Sequence, residues 1–108
     1  MQFVHPGWVS NDEGSVPFYD ALENFDLGFH FLKDTFEITP HVAWPLDTYG
    51  YSAYSPVLYQ LYNIDTVFLS RIGSRFKNMS YNITGSLNYV WEGHPIDGKH
   101  SKVFVCLT

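Results

Sequence analysis

The segment from Val42 to Arg71 most constrains the fold of this 108-residue chain. Residues 41–44 (HVAW) are short, bulky and mostly apolar, which is typical of a strand buried on both faces. After a loop, residues 55–62 show a helical pattern that begins with Ser-Pro, and residues 66–69 (TVFL) form a second apolar, β-branched run. Strand, helix and strand in this order predict a βαβ unit whose two strands are parallel.

The flanking segments extend this unit into an α/β domain. Residues 15–36 repeat large apolar side chains at alternating spacings of four and three, which predicts a helix that begins near Ser15 and turns one face to the core. A short strand is predicted at residues 2–5, and strands at residues 87–91 and 101–107. The predicted order is β-α-β-α-β followed by a β-rich end, with no domain boundary within residues 1–108.

Composition and charge exclude several classes of protein. The chain is 45% hydrophobic and only 16% charged, which indicates a folded domain. Its net charge of -5, with six Lys and Arg against eleven Asp and Glu and no basic run, argues against nucleic acid or an anionic membrane as a partner. No apolar stretch is long enough to predict a membrane span. The single cysteine, Cys106, is predicted to be a buried thiol.

Two charged residues follow the two strands of the βαβ unit. Asp47 comes soon after the first strand, with Tyr49 and Tyr51 beside it, and Arg71 ends the second. The carboxyl ends of parallel strands meet at one edge of a sheet, so we expect Asp47 and Arg71 to lie close together. A carboxylate next to aromatic rings fits a sugar-processing site. The alternatives, ordinary turn chemistry for Asp47 and a structural ion pair for Arg71, remain open from these residues alone.

Several segments resemble the α-mannosidases of glycoside hydrolase family 38, in the family's order. Residues 3–13 (FVHPGWVSNDE) resemble the segment GGWVMNDE, and residues 42–52 (VAWPLDTYGYS) resemble the signature AWHIDPFGHS. Residues 65–71 (DTVFLSR) and 87–91 (LNYVW) resemble the following stretches FDGFFFGR and LEMEQVWR. The similarity covers nearly the whole chain and is greatest to the lysosomal, acid-active branch.

The resemblance implies a fold and an activity. It implies that residues 1–108 are part of the N-terminal catalytic domain, a fragment of a seven-stranded parallel β/α barrel. The complete protein would be a zinc-dependent retaining α-mannosidase that acts on mannose-containing oligosaccharides of the N-glycan type. Its zinc and acid carboxylate would need residues from the remainder of the barrel, and C-terminal domains would follow. We therefore expect the isolated chain to be inactive.

The resemblance also assigns roles to three residues. Asp47 would be both the catalytic nucleophile and a ligand of the zinc ion. Tyr49 would line the sugar site in place of the usual Phe, and Arg71 would contact the nucleophile. The five histidines of the chain show no ligand spacing and fall outside the family's ligand positions.

The signature segment departs from the family at three positions. Pro45 and Tyr51 stand where the family has His, and Thr48 stands where it has Pro. Pro45 cannot donate to a sheet ladder, so the first strand is expected to stop near Trp44. The alternative to an α-mannosidase is therefore a diverged or truncated relative with only a carbohydrate-binding or structural role. An independent small α/β binding domain is a further alternative.

Two N-glycosylation sequons lie in a polar stretch of the chain. Residues 78–80 (NMS) and 82–84 (NIT) make Asn78 and Asn82 candidate acceptors. Together with the resemblance, they favour a protein of the lysosome or the secretory pathway. Two tryptophans, Trp44 and Trp91, are expected to lie in the core, and the alternative is that they, like Trp8, are platforms in sugar subsites.

Overall fold

The computed structural model describes residues 2–12, 14–46, 48, 50–93 and 102–107. The described residues form seven elements, which in chain order are α1 (Phe18–Phe36), β1 (Val42–Ala43), α2 (Ser55–Leu61), β2 (Thr66–Leu69), α3 (Ser74–Thr84), β3 (Asn88–Glu92) and β4 (Lys102–Leu107). The strands make one sheet in the order β1-β2-β4-β3. In the part of the chain that is described, no helix combines the length and the apolar character that a bilayer crossing requires.

The predicted βαβ unit is confirmed. β1 pairs with β2 in parallel, with Val42 opposite Thr66, and α2 connects the two strands. β4 pairs in parallel on the other side of β2, with Thr66 opposite Phe104. β1 ends at Ala43, in agreement with the expectation that it stops near Trp44, because Pro45 has no amide hydrogen for a ladder.

β3 gives the sheet its mixed character. It runs antiparallel to β4, with Asn88 opposite Cys106 and Glu92 opposite Lys102. The described residues therefore form a mixed α/β domain with a four-stranded sheet, which confirms the predicted α/β class. The parallel barrel that the resemblance implies stays a prediction. The predicted β-rich end is correct in content, since both strands form within one residue of their expected bounds.

The core lies between the helices and one face of the sheet. Alternate strand residues point to this face and are buried, among them Ala43, Val67 and Val105. Phe25 of α1 and Tyr59 of α2 cover them and lie ring to ring, with centroids 5.7 Å apart. Burying side chains of this size contributes roughly 1.5–3 kcal/mol each, so this layer supplies most of the stability of the unit.

Among the described residues, the opposite face of the sheet is only partly covered. Trp44 is 42% exposed, Phe104 43% and Val90 59%. The expectation that Trp44 belongs to the core is therefore wrong. Ala43 occupies the helix-covered face, and side chains alternate along an extended chain, so the next residue projects to the uncovered side. Trp91, by contrast, packs at the edge of the core as predicted. Cys106 is only half-buried, so the buried thiol is confirmed only in part.

α1 begins later than its pattern predicts. The N-cap is Pro17, in extended conformation, and Ser15 does not cap the helix because its hydroxyl donates a hydrogen bond to Asp12 Oδ2. At the other end Glu37 adopts a left-handed conformation (φ 56°). Its amide donates to the Lys33 carbonyl at 3.0 Å, and the Ile38 amide donates to the Leu32 carbonyl at 3.4 Å. The apolar face is correctly predicted, since Phe25 within it is 1% exposed.

The predicted strand at residues 2–5 does not form. His5 has φ 67° and Pro6 follows it without an amide hydrogen, so the chain turns away after a single backbone contact with the sheet. In that contact the His5 amide donates to the Val42 carbonyl at 2.7 Å. The segment therefore runs beside β1 without becoming a strand.

α3 has no counterpart among the predicted elements. It is rich in Ser and Asn, which favour turns over helix interiors, and none of its residues is buried. Two glycines bound it, Gly73 at the N-cap and Gly85 at the C-cap with φ 69°. The sequence signals that could have indicated this helix are the two glycines and the apolar residues Phe76 and Ile83, which lie seven positions apart.

Candidate functional site

The loops that follow β1 and β2 are joined by a backbone hydrogen bond. The Arg71 amide donates to the Leu46 carbonyl at 3.1 Å, which ties the residue before Asp47 to the residue two positions past β2. The parallel register of β1 and β2 brings these loops to the same edge of the sheet. The two strand ends therefore meet through their backbones, while the expected closeness of Asp47 to Arg71 stays a prediction.

Tyr51 fixes the same segment from a second side. Its hydroxyl donates to the Arg71 carbonyl at 2.8 Å, and its ring lies edge-on to Trp91 with centroids 6.1 Å apart. The backbone of Arg71 is thus bonded through both its amide and its carbonyl, while its side chain is exposed. A guanidinium at this position can pair with a carboxylate or with sugar hydroxyls.

Two clefts meet at Thr48. The first, which we call the Arg71 cleft, has a volume of about 390 Å³ and is lined by Thr48, Gly50, Tyr51 and residues 71–73. The second, which we call the Trp44 cleft, has a volume of about 400 Å³ and is lined by residues 10–12, residues 44–46 and Thr48. Both volumes fall in the range typical of small-ligand sites, about 300–1,000 Å³.

Asp47 and Tyr49 lie outside the described residues, and their predicted roles stay predictions. Their described neighbours, Leu46, Thr48 and Gly50, line one or both of the clefts. Of the three sugar-site residues predicted from the sequence, Arg71 is therefore the one that the structure places in a cleft.

Comparison with known proteins decides the family. Residues 1–107 match the family model described as the glycosyl hydrolases family 38 N-terminal domain. This chain belongs to glycosyl hydrolase family 38. The family 38 resemblance of its motifs is thereby confirmed over essentially the full sequence.

The curated relatives of this family 38 chain are named as α-mannosidases. It is 28% identical to alpha-mannosidase D of Dictyostelium discoideum over 97% of its own length, which is 8% of that protein. It is 38% identical to lysosomal alpha-mannosidase of Mus musculus over 67% of its length, which is 7% of that protein. It is 29% identical to alpha-mannosidase of Canavalia ensiformis over 96% of its length, or 11% of that protein. The chain spans about a tenth of the length of these relatives.

The described part of this family 38 chain shows no cluster of metal ligands. Among the residues outside the undescribed gaps, no group of three His, Cys, Asp or Glu side chains is placed to bind an ion. His30 lies 3.3 Å from Asp26 on α1, and His41 precedes β1 and contacts the Asn63 carbonyl, so neither lies at the carboxyl ends of β1 and β2. His94 and His100 lie outside the described residues. A zinc ion here needs ligands beyond the described residues.

The Trp44 cleft is not among the sites that the sequence motifs predict. Residues 10–12 (SND) belong to a segment that resembles the family, and Thr48 was singled out as a departure, so both carried a signal. What the sequence does not show is that the chain before α1 folds back against the loop after β1. Asn24 of α1 produces this approach, because its side chain bonds both the amide of Val9 (3.0 Å) and the carbonyl of Val9 (2.9 Å).

The two sequon asparagines project from one side of α3. Asn78 and Asn82 are exposed and lie four residues apart, so they share a helix face. Phe76 makes the contact with the sheet, with its ring 5.6 Å from that of Tyr89. At 3.6 residues per turn, both asparagines fall roughly opposite Phe76. Glycans attached there would point away from the sheet.

His5 is a half-buried histidine close to β1. Its Nδ1 accepts a hydrogen bond from the Trp44 amide at 3.3 Å, and its ring lies edge-on to Phe25. Its Nε2 is buried with no hydrogen-bond partner among the described residues. Burial disfavours the charged ring and lowers the pKa of His5 from its ordinary value of 6.5 to about 4.

This pKa predicts a loss of stability in acid. Above pH 6.5 the ring is neutral in both states and has no effect. Between pH 6.5 and about 4 the unfolded chain takes up a proton that the folded chain does not, so the free energy of unfolding falls as the pH falls. At 1.36 kcal/mol per pKa unit, the full effect is about 3 kcal/mol.

Urea unfolding of the parent chain and of His5→Asn at pH 7, 5.5 and 4 measures this effect. Asparagine tolerates positive φ and does not titrate, so we expect the variant to lose less stability between pH 7 and pH 4. His30→Asn is the matched control, because His30 is exposed, and it should follow the parent. Identical pH profiles for the parent and His5→Asn would show that His5 is not the acid-sensitive group.

Proposed function

We propose that this chain carries the nucleophile-bearing edge of a retaining α-mannosidase, which removes terminal α-mannosyl residues from oligosaccharides of the N-glycan type. The observation that carries the proposal is the hydrogen bond from the Arg71 amide to the Leu46 carbonyl. It joins the residue before Asp47 to Arg71 at the rim of a cleft large enough for a sugar. Membership of family 38 and relatives named as α-mannosidases support the same activity.

The proposed chemistry uses the residues at the two strand ends. The Asp47 carboxylate attacks the anomeric carbon of mannose and forms a covalent glycosyl-enzyme, which water then hydrolyses with net retention. The Arg71 guanidinium favours the ionised form of that carboxylate and contacts sugar hydroxyls. Tyr49 offers a ring to the apolar face of the sugar. Protonation of the leaving group falls to a carboxylic acid from another segment of the complete protein.

We include zinc in the proposal as a cofactor of the complete protein. When bound, it supplies electrostatic stabilisation to sugar hydroxyls, with Asp47 as one of its ligands. The described residues lack a set of ligands for it, so the steps attributed here to Asp47 and Arg71 are not routed through the metal.

A non-catalytic carbohydrate-binding relative is the second candidate. The observation that favours it is the role of Tyr51, which replaces a histidine of the family signature and uses its hydroxyl to hold the Arg71 backbone. Such a protein would keep the clefts and the Arg71 contact but would not hydrolyse its ligand.

The proposed location is the lysosome or the secretory pathway. Exposed sequon asparagines on α3 and relatives named as lysosomal alpha-mannosidases support it. Asn78 and Asn82 are the proposed glycan acceptors, because both lie on the helix face away from the sheet contact of Phe76.

The test uses the complete polypeptide that contains this chain. At acidic pH we expect it to release the aryl group from an aryl α-mannoside and to leave the aryl β-mannoside intact. The first sugar product, followed by NMR, should be the α-anomer, because two displacements at the anomeric carbon retain configuration. Removal of zinc with a chelator should abolish release, and added zinc should restore it. A folded, zinc-loaded polypeptide that binds mannosides but hydrolyses neither substrate would favour the non-catalytic candidate.

A further inference from the structure

We propose that the Trp44 cleft is a second sugar subsite, which binds the mannose ring next to the one that occupies the Arg71 cleft. The inference rests on the proposed function and extends it, since it assigns a binding role to residues 10–12, Trp44 and Thr48. Its ligand is an α-linked mannobiose unit of an oligosaccharide. Four features of the cleft carry it.

The first feature is an exposed aromatic ring held in a fixed position. Trp44 is 42% exposed, and its ring lies over Phe68 with centroids 5.1 Å apart and an angle of 40° between the planes. Phe68 therefore supports one side of the indole while the cleft has access to it. Apolar clefts with a rigid ring and a few polar groups are the usual form of small-ligand sites.

The second feature is a row of polar residues facing this ring across the cleft. Ser10, Asn11 and Asp12 line it and offer hydroxyl, amide and carboxylate groups, which match the hydroxyls of a sugar. The row is anchored to α1, because Asn24 bonds the Val9 backbone on both its amide and its carbonyl. Asn24 Nδ2 also lies 3.4 Å from Asn11 Oδ1. These contacts preorganise the row for binding.

The third feature is the Thr48 hydroxyl. Thr48 is 9% exposed, and its Oγ1 is buried with no hydrogen-bond partner among the described residues. A buried hydroxyl without a partner is costly, and a ligand hydroxyl in the cleft would provide one. The family signature has proline at this position, which has no hydroxyl. The feature therefore departs from the family signature.

The fourth feature is the position of Thr48 between the two clefts. It lines both the Arg71 cleft and the Trp44 cleft, so two linked rings could occupy them on either side of one residue. The net negative charge of the chain also suits a neutral ligand better than an anionic one. A neutral disaccharide could pack against the exposed ring, form hydrogen bonds with the polar row and provide a partner for the Thr48 hydroxyl.

The test measures binding and does not need turnover. Calorimetric titration of the complete polypeptide in an Asp47→Asn background uses methyl α-mannoside and methyl α-mannobioside as probes. We expect the parent to bind the mannobioside more tightly. Thr48→Val and Asn11→Ala should each reduce this preference about fivefold or more, the size of one lost hydrogen bond. Thr39→Val is the matched control, because Thr39 is exposed and lines neither cleft, and it should keep the parent's preference.

The stability of Thr48→Val gives a second readout. Valine has the shape of threonine without the hydroxyl, so the variant should melt at or above the temperature of the parent. A clear fall in melting temperature would show that the hydroxyl is bonded within the fold, and would overturn its role as a group that awaits a ligand. Asn11→Ala still tests the subsite if Thr48→Val does not fold.

Other results separate this inference from the proposed function. Equal affinity of the parent for the two probes, or an unchanged preference in both variants, would overturn the subsite even if aryl α-mannoside is hydrolysed. A preference for the mannobioside that both variants reduce would support the subsite even if the protein with Asp47 intact hydrolyses nothing. In that second case the proposed activity fails and the binding site stands.

Discussion

Replacement of Gly28 by alanine is expected to unfold the chain or to destabilise it by about 3 kcal/mol or more. Gly28 is a buried residue in the middle of α1, where residues 6–8 cross the helix. A Cβ built there would fall on the Pro6 carbonyl oxygen and on the backbone of Gly7 and Trp8. All of these are backbone atoms, so no change of rotamer relieves the overlap.

Relief of this overlap requires residues 6–8 to move off the helix. That movement breaks the hydrogen bond from the Trp8 amide to the Asn24 carbonyl (3.0 Å) and disturbs the Asn24 contacts that anchor residues 9–12. Alanine gains about 1 kcal/mol over glycine from helix propensity, which is too little to offset the clash. The Trp44 cleft should therefore be lost together with stability.

Urea denaturation followed by circular dichroism measures the effect of Gly28→Ala. Gly73→Ala is the matched control, because a Cβ at Gly73 meets nothing within 4 Å and the residue has φ -54°. We expect the control to change the free energy of unfolding by less than about 0.5 kcal/mol. A Gly28→Ala chain as stable as the control would show that residues 6–8 do not pack on α1 as described.

Replacement of Asp47 by asparagine in the complete polypeptide is expected to reduce kcat for an aryl α-mannoside by about a thousandfold or more. The proposed first step needs a carboxylate that forms a bond to the anomeric carbon, and an amide of the same shape is a far weaker nucleophile. The effect should appear in kcat as well as in kcat/KM, because the lost interaction is the covalent one.

Asp34→Asn is the matched control for this experiment. Asp34 is an exposed aspartate near the end of α1, far from both clefts, and its replacement changes the net charge equally. The control should keep parental kinetics, and both variants should keep the parental melting temperature within a few degrees. If Asp47→Asn retained more than about a tenth of the parental kcat while folded, another residue would have to be the nucleophile.

Local patterns predicted the βαβ unit well, because residues 42–43 and 66–69 are apolar, β-branched runs that become strands only when buried. They did not predict α3, whose Ser and Asn residues favour turns and whose side chains bury nothing. The antiparallel direction of β3 could not be predicted from local patterns either, because it depends on pairing with β4, which follows β3 in the chain. The pattern of residues 2–5 predicted a strand, but His5 adopts a positive φ, which is incompatible with an extended strand.

For the site, the strand ends were predictable and the surroundings were not. The meeting of the loops before Asp47 and at Arg71 follows from the parallel pairing of β1 and β2, which the sequence indicates. The exposure of Trp44 depends on which face of the sheet the helices cover, and a two-residue strand does not show this by its pattern. The approach of residues 10–12 depends on one side chain of α1, Asn24.

Because β3 runs antiparallel to β4, the two edge strands of the sheet, β1 and β3, run in opposite directions. A strand added beside β1 would pair with a strand that has the same direction as β2 and β4. It would lie near the hydrogen bond from the His5 amide to the Val42 carbonyl. At the border formed by β3, any added strand meets a neighbour of reversed direction. If the complete protein closes this sheet into a ring, a strand that runs in the direction of β1 would pair in parallel with β1 and antiparallel with β3. The two edges of the sheet therefore offer such a strand different hydrogen-bond patterns.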